Sequence, residues 1–233
     1  MFPLKDDIPS QHFPVVNLWL IIVNILCFVY QLSLGQGLED FIITHGFIPA
    51  RFAAAQAGSV LSLASYAPIF SSMFLHGGLL HVFSNLWMLW IFGDNVEDRM
   101  GHGRYLLFYL LCGVAAALAQ FWANPQAQAP MIGASGAISG VLGAYFLLFP
   151  RARILTFIPI FILFYLVEIP AYFFIGFWFL MQFLQGAAQQ AAVGGLVEGG
   201  VAWWAHVGGF LAGVSLLYFF KRSPAKKAGQ VWL

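Results

Sequence analysis

Three stretches of an otherwise apolar chain carry side chains that could do chemistry. Ser135 sits among glycines in MIGASGAISGVLG (131–143), and His206 lies in VAWWAHVGGFLAG (201–213). His76, His81, Ser84 and Asn85 fall within FLHGGLLHVFSNLWMLW (74–90). An imidazole next to a serine can take the hydroxyl proton, making a nucleophile that the free hydroxyl near pH 7 is not. His81 and Asn85 are four apart, so one helix face presents both. Their N–H groups could then serve an oxygen that gathers negative charge, and one such donor is typically worth about a hundredfold or more in rate. Nucleophile, base and oxyanion donors are thus all represented.

Each residue also has a plainer reading. A serine in a membrane helix, Ser139 as much as Ser135, usually bonds back to the carbonyl one turn earlier. Glycines at four-residue spacing, such as Gly136 and Gly140, or Gly209 and Gly213, most often mean close helix packing. His76, at the start of its helix, reads as structural or interfacial. A histidine inside a span is harder to dismiss, because ionisable groups there are costly and tend to be functional. The glycine faces favour the chemical reading, since they let two helices approach closely enough for Ser135 and His206 to meet.

The elements that must position these residues follow from composition. The 233 residues are 61% hydrophobic and 8% charged, against roughly 25% charged in a soluble domain. Continuous apolar runs point to an all-α polytopic membrane protein, because lipid offers backbone groups no partner and β-barrel strands would alternate. Runs at 17–34, 79–96, 104–123, 134–150 and 201–220 match the roughly 20 residues a span needs. The apolar stretch 154–185 is interrupted by Pro159, Glu168 and Pro170. Reading it as one span over 169–188, with 154–167 at the interface, puts nine of the ten Lys and Arg residues on one face and leaves only Arg51 opposite. That asymmetry predicts six helices with both termini cytoplasmic. The expected division is a short N-terminus (1–16), a helical domain (17–220) and a tail (221–233). Cys27 and Cys112 fall within apolar runs and read as buried thiols. A net charge of +1 without a basic block argues against nucleic acid as a partner.

The early parts of spans two, four and six lie at similar depth, which gathers His81, Asn85, Ser135 and His206 below the outer surface. Asp94, Glu97, Asp98 and Glu168 lie toward the inside, and Glu198 is in an outer loop, so no acid completes a triad. The reading is a Ser-His dyad whose histidine is oriented by packing. A metalloprotease using His76, His81 and His206 lacks the HExxH pattern. A transporter would call for an acid at the midplane or matching broken helices.

These motifs resemble the rhomboid family of intramembrane serine proteases. The similarity rests on Gly133-Ala134-Ser135-Gly136, His81-x-x-x-Asn85, Ala205-His206-x-x-Gly209 and the GDNVEDRMG stretch 93–101. It implies Ser135 as nucleophile, His206 as base, and His81 and Asn85 with the Ser135 backbone N–H as oxyanion hole. Gly133, Gly136, Ser139 and His76 would support them. It further implies no cofactor and no metal. The implied partners are a lipid bilayer and single-span membrane substrates cut near their outer end, and a lateral opening beside span five would be capped by the loop around Gly194–Gly200. An inactive client-binding relative would usually have lost Ser135 or His206. Two positions differ from some bacterial members: Ser139 stands where they have a tyrosine stacked on the histidine, and no Trp-Arg pair surrounds Arg51. The absence of a visible organelle presequence points to a bacterial inner membrane. Oligomeric state is left open.

Overall fold

The computed structural model describes residues 1–58, 63–193 and 200–222. The described residues are mostly helical. Helix α1 spans Val15–Ser33, and the outer segment after it folds into α2 (Leu38–His45), α3 (Pro49–Ala57) and α4 (Leu63–Ser71). The chain then continues through α5 (Leu79–Met100), α6 (His102–Ala123), α7 (Ser135–Leu148), α8 (Ala171–Val193) and α9 (Trp203–Phe220). Each of the six apolar runs is therefore a helix. α1, α6, α8 and α9 are long and apolar enough to cross a membrane, and the bent pair α4–α5 would make a fifth crossing. α7 is shorter, at 14 residues. It is also the most enclosed, with every residue from Gly136 to Tyr145 buried. Such burial suits a central helix that is apolar on all sides.

Small residues set the helix spacing. A Cβ on Gly209 would stand 2.0 Å from the Gly136 carbonyl oxygen, and one on Gly213 would stand 2.0 Å from that of Gly140. α7 and α9 therefore touch backbone to backbone, with Cys112 of α6 closing on Gly140 from another side. At the inner end the GDNVEDRMG stretch acts as a clasp. The Glu97 carboxylate accepts the backbone N–H groups of Val16 (2.9 Å) and Asn17 (2.7 Å), which caps α1, and also contacts His102. Asp98 accepts the N–H groups of Gln11 and His12.

The segment 154–167, expected at the interface, belongs to an antiparallel hairpin of β2 (Arg153–Ile160) and β3 (Leu163–Pro170). Its β-branched and aromatic residues suit a strand, and an Arg153–Glu168 ion pair of 3.0 Å lies near its base. The hairpin tip is apolar and open, with Phe161 98% exposed. The N-terminal residues Phe2–Asp6 form β1, which pairs with β2 so that Phe2 faces Phe157 and Asp6 faces Ile154. No expectation from the residues anticipated this three-stranded sheet.

The long outer segment is packed onto the bundle. Phe47, Phe52 and Ile69 are buried with Ala117 of α6, and Phe47 exchanges backbone hydrogen bonds with Met131. Phe70 is exposed. Val60 and Leu61 lie outside the described residues, as do Glu198, the loop 194–199 and the tail 223–233.

Candidate active site

Ser135 is the first residue of α7, and His206 is the fourth of α9. The glycine contacts between these helices bring Ser135 Oγ and His206 Nε2 to 2.8 Å. The other ring nitrogen, Nδ1, lies 2.8 Å from Gln182 Oε1 on α8. An amide oxygen only accepts, so Nδ1 carries the proton and Nε2 presents its lone pair to the serine hydroxyl. That is the tautomer a general base requires. Gln182 is buried, and its Nε2 donates to the Trp178 carbonyl 3.2 Å away, which fixes the direction of the amide.

The ring of His206 is flanked by Trp178, at 6.0 Å between centroids, and by Trp203, edge-on at 6.2 Å. These indoles do the packing for which the sequence offered no candidate. Ser139 takes no part in it: its hydroxyl donates to the Ser135 carbonyl at 2.6 Å, the plain back-bond of a helical serine. The expectation that packing alone orients the histidine is thus amended, because an amide hydrogen bond orients it as well.

Opposite the dyad, the Gly77 N–H donates to His81 Nδ1 at 3.2 Å. His81 therefore keeps its proton on Nε2, the nitrogen that faces Gly133. A Cβ at Gly133 would lie 2.8 Å from that nitrogen and 3.6 Å from Ser135 Oγ, and its φ of 127° also demands glycine. The two histidines thus hold opposite tautomers, one presenting a lone pair and the other an N–H. Asn85 is buried, with Nδ2 donating to the His81 carbonyl at 2.9 Å. Ser135 opens α7, so its backbone N–H has no partner within the helix and sits at the positive end of the helix dipole. Gly136 packs against Ala116 and Ala205 of α9 and also borders the cavity.

His76 is not brought to the serine. Its backbone is held by Gln31 of α1 through bonds of 2.9 and 3.1 Å, and its buried ring stands edge-on to His81 at 5.1 Å. Among the described residues no cluster of three or more His, Cys, Asp or Glu is arranged to hold a metal.

The candidate residues line a cavity of about 750 Å³ that runs between α5 and α8. Ser135, His206, His81, Asn85 and Gln182 all border it. The two helices touch toward its inner end, where Phe92 and Phe174 stack at 6.5 Å. Residues 1–3 also border the cavity: Phe2 stacks on Trp87 at 5.6 Å, and the Trp87 indole N–H donates to the Pro3 carbonyl at 2.7 Å. Sequence reading missed Gln182, Trp178 and this N-terminal wall. The signal for Gln182 was an amide in the middle of AYFFIGFWFLMQFLQ, since a polar side chain at such a depth calls for a partner.

Comparison with known proteins identifies the family. A family model described as the Rhomboid domain matches residues 64–223, which hold every dyad and oxyanion candidate. Rhomboid protein 1, mitochondrial, of Saccharomyces cerevisiae is 31% identical over 163 residues, 68% of this chain and 43% of that protein. Rhomboid protease GluP of Bacillus subtilis is 30% identical over 127 residues, 54% of this chain and 23% of its own length. Rhomboid-like protein 11, chloroplastic, of Arabidopsis thaliana is 26% identical over 235 positions, 97% of this chain and 72% of that protein. The chain spans less than half the length of the first two relatives. Their names refer to mitochondria and chloroplasts as well as a bacterium, so the likeness indicates a multi-pass membrane protein without choosing the compartment. With the family's motifs set on α5, α7 and α9 around one cavity, and with its model matching more than half of the sequence, the chain belongs to the rhomboid family.

Proposed function

We propose that the protein is an intramembrane serine endopeptidase that cuts transmembrane segments near their outer end through the Ser135–His206 dyad. The observation that carries this reading is the 2.8 Å contact between Ser135 Oγ and His206 Nε2, with the imidazole held in the accepting tautomer. As Oγ attacks a peptide carbonyl, its proton passes to Nε2. Negative charge on the carbonyl oxygen is met by the Ser135 N–H and the His81 Nε2–H, with Asn85 beside them. Collapse of the tetrahedral intermediate breaks the C–N bond, and the imidazolium returns the proton to the leaving amine. Water then enters and gives a proton to His206 as its oxygen bonds to the acyl carbon, and the imidazolium returns that proton to Ser135 Oγ as the ester C–O bond breaks and the carboxylic acid leaves.

The depth of the site supports a membrane substrate. α7 has 14 residues, about 21 Å of rise, against a hydrocarbon core of about 30 Å. With its inner end near the cytoplasmic interface, Ser135 lies well below the outer one, and the cavity supplies the path for water. A helical substrate must expose a carbonyl there, which favours segments with Gly or Pro near the cut. The distribution of Lys and Arg supports six crossings with both termini cytoplasmic.

The test is fluorophosphonate labelling of the purified protein. Wild type is labelled at Ser135, Ser135→Ala is not labelled, and His206→Ala is labelled at least a hundredfold more slowly. Labelling that persists in Ser135→Ala refutes the assignment.

A further inference from the structure

We infer that Gln182 is the positioning residue of the dyad, holding His206 through an Nδ1–H to Oε1 hydrogen bond from a helix that carries neither reacting group. The inference rests on the serine-protease reading but adds a third member that the motifs of α5, α7 and α9 do not contain. Two observations carry it. The first is geometric: Oε1 lies 2.8 Å from Nδ1, while Nε2 of the same amide is committed to the Trp178 carbonyl, so the oxygen cannot exchange places with the nitrogen without losing both bonds. The second is the absence of a competitor, since neither Nδ1 nor Gln182 has a carboxylate near it among the described bonds, and the carboxylates of α5 are at its inner end. A neutral acceptor selects one tautomer without placing a charge in the bundle, where an unpaired carboxylate would be costly.

The position of Gln182 matters as much as its chemistry. Trp178 and Gln182, one turn apart on α8, both meet His206, and α8 is also the wall of the cavity facing α5. Displacing α8 far enough to admit a substrate helix draws the acceptor from Nδ1. The base is then correctly aligned only after α8 has closed again.

Gln182→Leu removes the acceptor at nearly constant volume, and Gln182→Glu keeps an acceptor oxygen. With a membrane-embedded peptide substrate, the expected result is a kcat for Gln182→Leu reduced ten- to a hundredfold with KM within about twofold. Gln182→Glu restores most of the rate. Nitrogen NMR of ¹⁵N-histidine-labelled protein, assigned with His206→Ala, reads the tautomer directly and needs no turnover. Wild type shows a protonated Nδ1 and a bare Nε2, and Gln182→Leu shows a mixture. Should Gln182→Leu fail to fold, Gln182→Met is the second variant. An unchanged tautomer, an unchanged kcat, or a loss confined to KM overturns the inference. These results remain separable from the parent reading, which falls if wild type is not labelled or if labelling persists in Ser135→Ala.

Discussion

Substituting Gly209 by alanine should disable the dyad without touching either reacting residue. The new Cβ would stand 2.0 Å from the Gly136 carbonyl oxygen and 3.4 Å from the Ala116 Cβ, whereas real Cβ atoms essentially never come within 3.0 Å of a neighbour. The obstacle is backbone, so the helices must separate by at least about 1 Å. Gly136 follows Ser135 directly, and Gly209 lies one turn beyond His206, so the separation reaches the dyad almost undiminished. The Oγ to Nε2 distance of 2.8 Å then opens to roughly 3.8 Å, past hydrogen-bond range. A misplacement of about 1 Å costs on the order of a hundredfold, and complete loss of a general base costs about 10²–10⁴. Fluorophosphonate labelling of Gly209→Ala should therefore slow by about 10²–10⁴, with an overpacking cost of about 1–3 kcal/mol in stability. Gly37→Ala is the control, because nothing lies within 4 Å of its added carbon. A folded Gly209→Ala protein that labels at the wild-type rate refutes the claim that backbone contact sets the catalytic distance.

Two further predictions concern the inner end. Glu97→Ala leaves the Val16 and Asn17 N–H groups unpartnered at the start of α1 and should cost about 2–4 kcal/mol, read as a lower unfolding temperature in detergent; a loss under about 1 kcal/mol contradicts the clasp. Asp6 accepts from Tyr145 and Asn95, and burial within the sheet raises its carboxyl above the usual carboxylate range despite the Tyr145 bond. The folded state thus keeps a proton that the unfolded chain has already released, so the contribution of Asp6 to stability is fully present below pH about 4 and is lost as pH climbs through the raised value. Unfolding temperatures of wild type and Asp6→Asn, compared from pH about 4 to 7, should diverge by this decline, and parallel profiles reject it.

The helical spans were legible because a membrane span is a local signal: an apolar run of sufficient length declares itself without reference to the rest of the chain. Ser135, His206, His81 and Asn85 were legible as polar exceptions near the start of such runs. The hairpin was not, because ILTFIPIF and LFYLVEIP are equally apolar whether they form strand or span, and length alone did not decide. β1 was hidden for a different reason. Five residues cannot advertise a partner that lies at Ile154–Phe157. Gln182 escaped because depth was compared only among the spans running inward, whereas α8 runs the other way and brings its amide to the same level from below. The start of α7 at Ser135 was legible to within one residue of the apolar run 134–150, whereas the tie of Gly133 N–H to the Ser72 carbonyl at 2.8 Å, made by the segment before α5, was not.

The pairing of Phe2 with Phe157 also imposes an order on biogenesis. Residues 2–6 precede their partner by about 150 positions, so the strand stays unpaired until α1 to α7 and then β2 have been made. Until then Trp87 lacks both the ring of Phe2 that stacks on it and the Pro3 carbonyl that accepts its indole N–H. Docking of the N-terminal strand is therefore a late event in maturation, and it encloses the chamber in which the serine lies.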